Sequence, residues 1–489
     1  MSNRGINRRD FLRTATLGAS SIWAGSPLLQ TRRTAPADSP NIVVIVTDNM
    51  GRDAGCYGNS AIKTPNIDAL AADGVKFENA FCTTSSCSPS RAVILSGLYA
   101  HANGMYGLMH AYHHFACFED IQTLPGILRT AGYRTGINGK LHVAPPEIFP
   151  FDVEIDSDAR NTVQMAEKSR NFISQDDNKP FFLYFCPWDP HRGRPFNAWP
   201  EPNPFGNKPE GYEGVEKITY TPEEVNIPSY LPDTPATRAE LAQYYQSISR
   251  LDQGLGRLIS ILKSQKKYEN TLIMFLSDNG PAFPGGLATL YEPGINLPLI
   301  VKRPKHKKKG ITNHALVNWT SLTPTILDFA DALPADVNFQ GRSLKPILEE
   351  DHPSEWNEVY ASHTFHEVTM YTPMRVLRGR RFKLIWNIMW EQEQPVPRDI
   401  WESTTWQYLR RNGIETLGKR SMDTFLRRPE FELFDLQEDP DESNNLAQRP
   451  EFADRMEVMK EKIKSFQEDT QDPWVIEWEQ QGLEVTEEY

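Results

Sequence analysis

Two stretches far apart in the chain end in the same way, and together they constrain the sheet this sequence can build. Residues 41–49 read NIVVIVTDN and residues 271–279 read TLIMFLSDN. Each is an unbroken apolar run, the pattern of a parallel strand covered on both faces, and each stops at a hydroxyl residue followed by Asp-Asn. Open α/β sheets bind ligands at the carboxyl ends of their strands. Asp48, Asn49, Asp278 and Asn279 would therefore meet at one edge and offer hard oxygen donors, which suit Ca²⁺ or Mg²⁺ rather than zinc. The alternative for each Asp-Asn pair is a plain strand-to-loop turn.

Between these strands helix and strand alternate. Thr64-Pro65 opens a helix that Gly74 can close, and Leu241, Tyr244, Ile248, Leu251, Leu255, Leu258 and Leu262 recur at helical spacing just before the second strand. PFFLYFC at 180–186 is another apolar strand, followed by PWDPHRG and a Pro-rich surface stretch to about residue 235. This is an α/β architecture. With 489 residues the chain is long enough for a main domain and a smaller one. A net charge of −12 argues against a nucleic-acid binder, so any anion site must be local. Five cysteines, Cys56, Cys82, Cys87, Cys117 and Cys186, are irregularly spaced and indicate neither a disulfide framework nor a zinc cluster.

One of these cysteines stands out. In SSCSPSR at 85–91, Pro89 suits the first turn of a helix and Ser88 its cap, so Cys87 is expected beside the positive end of the helix dipole. The alternative is a small buried cysteine that happens to precede a helix. The Cys-to-Arg separation also excludes the phosphatase loop, which needs five intervening residues where this chain has three.

NRRDFLRTATLGASSIWAG at the N-terminus joins paired arginines to a mildly hydrophobic Ala/Gly/Ser-rich stretch, as twin-arginine export signals do. Ala35-Pro36-Ala37 offers a cleavage site, so residues 1–37 are expected to be a signal and the mature chain to begin near Asp38, in the periplasm or outside the cell. No later apolar run is long enough for a membrane span.

CSPSR, the two Asp-Asn strand ends, GKLH at 139–142 and DPH at 189–191 occur in the order found in type I sulfatases, which this chain resembles from residue 41 almost to its end. TSLTPTILD at 320–328, GRSL at 341–344 and ELFDLQEDPDESNNLA at 432–447 agree as well. Longer stretches, among them NSAIKTPNIDALA, SSCSPSRA, NGMYGL and HEVTMYTPMR, resemble the branch of that family that acts on N-sulfated glucosamine. The resemblance implies an alkaline-phosphatase-like α/β sandwich over 38–350, with a central, mostly parallel sheet. It also implies a smaller C-terminal α+β subdomain over 351–489.

The resemblance further implies that a maturation enzyme oxidises Cys87 to formylglycine, whose hydrated aldehyde attacks sulfur. Arg91 would hold that group, and Asp48, Asn49, residue 87, Asp278 and Asn279 would ligate Ca²⁺, ahead of Mg²⁺. Lys140 and His142, expected on one face of an alternating segment, would serve as sulfate clamp and proton carrier. His191 would protonate the leaving atom. His363, His366, Glu367 and Arg375, in the second domain, would wall the pocket for a sulfated saccharide. An O-sulfatase, a phosphonate or phosphodiester hydrolase, and a non-catalytic sulfoglycan-binding relative stay open as alternatives. Two departures from the family pattern bear on this. Asn49 stands where a second aspartate is common, and Leu287 stands where a basic sulfate-binding residue is expected, so Arg192 or Arg194 could supply the missing charge. KRPKHKKKG at 302–310 is a further basic segment, a solvated loop or a polyanion contact.

Overall fold

The computed structural model describes residues 35, 38–175, 178–193 and 204–480; most of residues 1–37, expected above to be an export signal, and Arg194 lie outside them. In chain order the elements that frame the site begin with β1 (Asn41–Thr47), α1 (Pro65–Asp73), β2 (Val75–Phe81) and α2 (Cys87–Ser96). Next come β3 (Arg134–Gly139), β4 (Val153–Ile155), α3 (Thr162–Ser174), β5 (Phe181–Cys186), α4 (Pro235–Ser264) and β6 (Thr271–Ser277). β7 (Leu299–Lys302) and β8 (Ile311–Asn318) complete a large sheet. After it follow β9 (Glu358–Phe365), β10 (Tyr371–Gly379), β11 (Phe382–Asn387), α5 (Thr404–Arg411), the short pair β12 (Thr416–Leu417) and β13 (Arg420–Ser421), β14 (Phe431–Asp435) and α6 (Ala453–Asp469).

The large sheet has eight strands in the order β4-β3-β5-β1-β6-β7-β2-β8. All its pairings are parallel except the two made by β7. Alternate side chains of the central strands feed two cores. Ile42, Val44 and Val46 of β1 pack on one face with Ala92–Leu95 of α2. Val43 and Ile45 pack on the other, against Leu241, Ile248, Leu251, Leu255 and Leu258 of α4. Each fully buried aliphatic side chain of this kind contributes about 1.5–3 kcal/mol, which holds the strand ends rigidly in place. Thr234 caps α4, its Oγ1 accepting from Thr237 N at 3.1 Å, and Pro235 takes the first turn.

A four-stranded antiparallel sheet, β14-β11-β10-β9, is built from the C-terminal part. It packs with the large sheet inside one compact unit, Arg33–Tyr489, so the boundary expected near residue 350 falls between two sheets of that unit. Among the described residues no helix is long and apolar enough to cross a membrane.

Candidate active site

Strand order turns scattered motifs into a row. β3, β5, β1 and β6 are consecutive and parallel, with Gly139 opposite Cys186 and Thr47 opposite Ser277. Their carboxyl ends therefore deliver, side by side, the segments carrying Lys140–His142, His191, Asp48–Asn49 and Asp278–Asn279. α2 brings Cys87 and Arg91 to the same edge.

The helix begins two residues earlier than its Ser88 cap and Pro89 suggested. Cys87 is its first residue, and Ser86, in extended conformation, precedes it. Ser88 Oγ instead accepts from Met109 N at 3.1 Å, and Ser86 Oγ pairs with His366 Nδ1 at 2.9 Å. A tertiary partner has claimed the Ser88 hydroxyl that local sequence offered as the cap, and Ser86, the residue at the cap position, makes no side-chain cap hydrogen bond. Cys87 still lies at the positive end of the dipole.

Around Cys87 Sγ stand Asp48 Oδ1 and Asn49 Oδ1, each at 3.7 Å, and Asn279 Nδ2 at 3.5 Å. His191 is the third member of a group with Asp48 and Cys87 whose ligating atoms lie within 4.8 Å of one another. Arg91 Nε donates to Asp278 Oδ2 at 2.9 Å and Lys140 Nζ to Asp48 Oδ2 at 2.6 Å. Asp278 Oδ1 accepts from the backbone N–H groups of Asn49 and Asn279. Asp48 Oδ1 and Asn49 Oδ1, both near Cys87, receive none of these donors. This oxygen-rich set fits a hard divalent cation.

Asn49 has a structural reason to be an amide. Its φ is 63°, in the left-handed region that asparagine tolerates better than most residues, and its Nδ2 donates to Asn279 Oδ1 at 3.0 Å and to Gly280 O at 3.3 Å. A carboxylate could make neither bond.

The electrostatics follow from this packing. Burial raises the Asp48 carboxyl, but Lys140, His191 and Arg91 outweigh it and hold the group well below the usual carboxylate range. Burial pushes Asp278 up to about 6 against the pull of Arg91. Burial also drives the Cys87 thiol far above the ordinary thiol range, opposed by Lys140. As a thiol, residue 87 stays protonated and is no nucleophile. Burial lowers His191 to about 4, with Asp48 opposing.

His191 is held from behind. Its Nδ1 contacts the Arg192 carbonyl, which leaves Nε2 for the centre. Arg160 Nη2 donates to the His191 carbonyl at 2.7 Å, and Asp189, two residues earlier, is gripped by both Arg250 and Arg160.

Lys140 and His142 do not share a strand. β3 ends at Gly139, and His142, at φ 59°, breaks the expected alternation. Its Nε2 instead lies 2.7 Å from His110 Nδ1. His110 escaped the sequence reasoning, although the cluster His110, His113, His114 was there to be noticed.

Of the four residues expected to wall the pocket, His366 hydrogen-bonds to the cysteine segment, through Ser86. Glu367 Oε1 accepts from Arg398 N at 2.8 Å. His363 is buried on β9 and neither of its ring nitrogens has a hydrogen-bond partner among the described residues. Arg375 is fully buried and paired with Asp472, Nη2 to Oδ1 at 2.7 Å, so its guanidinium is committed to the fold. Leu287 is a core side chain. Arg192 does not replace its missing charge, because both its terminal nitrogens are held at 2.8 Å by Glu240; among the described residues Arg91 and Lys140 are the cations beside Asp48 and Asp278.

The segments NGMYGL and HEVTMYTPMR meet. Leu108 N donates to His366 O at 3.0 Å, Phe365 N to Tyr106 O at 3.2 Å, and the rings of Phe115 and Phe365 lie 5.0 Å apart. They form one wall beside the start of α2.

Comparison with known proteins agrees with this architecture. A family described as Sulfatase matches residues 40–332, and one described as N-sulphoglucosamine sulphohydrolase, C-terminal, matches residues 288–395. Human N-sulphoglucosamine sulphohydrolase is 39% identical over 461 residues, covering 89% of this chain and 91% of the human protein. The N-acetylglucosamine-6-O-sulfatase of Bacteroides thetaiotaomicron is 26% identical over 536 residues, covering 88% of each. A protein solved in complex with its substrate D-glucosamine-2-N,6-O-disulfate shares the fold, with a TM-score of 0.64 at 24% identity over 89% of this chain and 99% of that one. The family match spans every strand end that builds the site and the relative at 39% identity spans nearly the whole chain: this chain belongs to the sulfatase family of hydrolases.

Proposed function

We propose that the chain removes N-linked sulfate from terminal N-sulfoglucosamine of heparan-type glycans, using formylglycine made from Cys87 by a maturation enzyme, with Ca²⁺ at the Asp48–Asn49–Asp278–Asn279 site. The observation that carries the substrate choice is the wall formed by NGMYGL and HEVTMYTPMR, which lies against Ser86 and falls partly within the stretch matched by the N-sulphoglucosamine sulphohydrolase C-terminal family. Export of the chain through its paired-arginine N-terminus belongs to the same reading.

Once converted, residue 87 would supply an oxygen nucleophile for sulfur, and a divalent cation held by Asp48, Asn49, Asp278 and Asn279 would offset negative charge there. The chain's own residues do the rest. Lys140 and Arg91 face charge that builds on the sulfate as sulfur is attacked. His191, neutral in the free site, gains its proton more readily once an anion lies beside it, and Nε2 then delivers that proton to the departing nitrogen. His142 takes a proton from the remaining hydroxyl of residue 87, which frees sulfate and restores the aldehyde.

Lys140→Ala is expected to lower kcat about a hundredfold, the ~3 kcal/mol typical of one donor aimed at developing charge. Near-normal turnover in a folded variant would remove Lys140 from the site.

The catalytic core asks for the same acid whether nitrogen or oxygen leaves, so specificity rests on the wall. The test is kcat/KM on N-sulfoglucosamine and on the 6-O-sulfated, N-acetylated sugar with one matured preparation, and the N-sulfate is expected to be strongly preferred. Preference for the O-sulfate would keep the sulfatase assignment and overturn the N-sulfate reading.

A further inference from the structure

We propose that His110 is a positioning residue for His142: it accepts the Nε2 proton and so fixes Nδ1 as the basic nitrogen that His142 offers to the reacting centre. This rests on the role given to His142 above. His110 Nδ1 and His142 Nε2 are 2.7 Å apart, with ring centroids 4.8 Å apart and planes tilted by 30°. His142 Nδ1 is buried and has no hydrogen-bond partner among the described residues.

The proton shared by the two rings has a preferred side. Placing it on Nδ1 of His142 would bury an N–H with no acceptor, a rarer and costlier arrangement than an unpaired acceptor. Burial first, then Lys140, His110 and Arg91, with Asp48 opposing, hold His142 well below the ordinary imidazole range, so the ring is neutral and carries a single proton. His142 Nε2–H therefore donates to His110 Nδ1, and His110, an exposed residue, carries its own proton on Nε2.

The loop is anchored on both sides of His110. Met109 N donates to Ser88 Oγ in α2, and Val368 N donates to His113 Nδ1 at 3.1 Å. The same wall that faces the substrate thus holds the histidine that orients the base. Partners of this kind fix ring orientation and tautomer and raise basicity, as outer-shell groups do for metal-bound histidines.

Two variants separate positioning from general support. His110→Ala removes the acceptor, whereas His110→Asn places an amide oxygen close to the position of Nδ1. In the ¹⁵N-histidine spectrum of the metal-free, unmodified Cys87 protein, His142, assigned through His142→Gln, is expected as the Nε2–H tautomer. His110→Ala should populate both tautomers and His110→Asn should restore one. In matured enzyme, kcat of His110→Ala should fall roughly 10–100-fold with KM little changed, and His110→Asn should recover most of it. A wild-type Nδ1–H tautomer, or a folded His110→Ala protein with unchanged tautomer and kcat, overturns the proposal. So does equal loss in both variants. Matured wild-type enzyme that released sulfate from neither sugar would instead overturn the substrate reading, and the tautomer measurement would still decide the role of His110.

Discussion

Cys87→Ala is expected to give a folded protein that releases no measurable sulfate, a loss on the order of a millionfold, as when a covalent nucleophile is removed from other hydrolases. The thiol is 2% exposed and burial keeps it protonated, so the unmodified side chain has no chemistry to lose. Its replacement by a methyl leaves a small gap costing about 1 kcal/mol, too little to unfold the chain. The paired measurement is the mass of the peptide spanning residue 87 in active wild-type enzyme, where an aldehyde or its hydrate is expected. A persistent thiol in fully active enzyme would sink the formylglycine mechanism and return the site to some other nucleophile.

Arg375→Ala should cost about 3–5 kcal/mol of stability and leave kcat/KM of the folded fraction nearly intact, because it breaks a buried ion pair and leaves Asp472 uncompensated. Arg375 reaches Asp472 with Nη2 and Nε, donates from Nη1 to the carbonyls of Met374 and His363, and lies 5.0 Å from the Trp474 ring centre. Asp472 in turn accepts from Trp474 N and Gln467 Nε2 at the end of α6. The pair thus ties the antiparallel sheet to the C-terminal helix. Asp472→Ala should lose a similar amount in urea unfolding, and the double variant should lose less than the sum. An unchanged unfolding midpoint with a sharply raised KM would return Arg375 to the substrate pocket.

The contrast between Arg375 and Asp278 shows what could be read in advance. Asp278 was legible because an apolar run covered on both faces demands a parallel neighbour, and such sheets place ligands at strand ends. The motif order then assembled Cys87, Arg91 and His191 with it. Arg375 sits in an equally distinctive stretch, yet its partner lies 97 residues on, and nothing local marks Asp472 as that partner. The same holds for Arg192 with Glu240 and for His142 with His110. Charged side chains in buried positions are decided by whichever opposite charge or acceptor the tertiary fold brings near, and a sequence lists the candidates without pairing them. The early start of α2 has the same origin, since the Ser88 hydroxyl suited to cap it is taken by Met109 N.

Every residue from Ala80 to Gly97 is buried. Thr83 O accepts from Ser362 N, Thr84 Oγ1 donates to Ser362 O, and Ser85 O accepts from Ala288 N, so strands and loops from far along the chain close over the turn that leads into Cys87. That closure sets a clock. On the proposed reading, a maturation enzyme that needs the CSPSR segment exposed would have access to it only until residues near 288 and 362 have been made and docked. Conversion of Cys87, as proposed, would then compete with folding: variants or temperatures that hasten docking of the antiparallel sheet would leave more thiol, slower folding would leave less, and a molecule that folded unconverted would be locked out for as long as it stayed native.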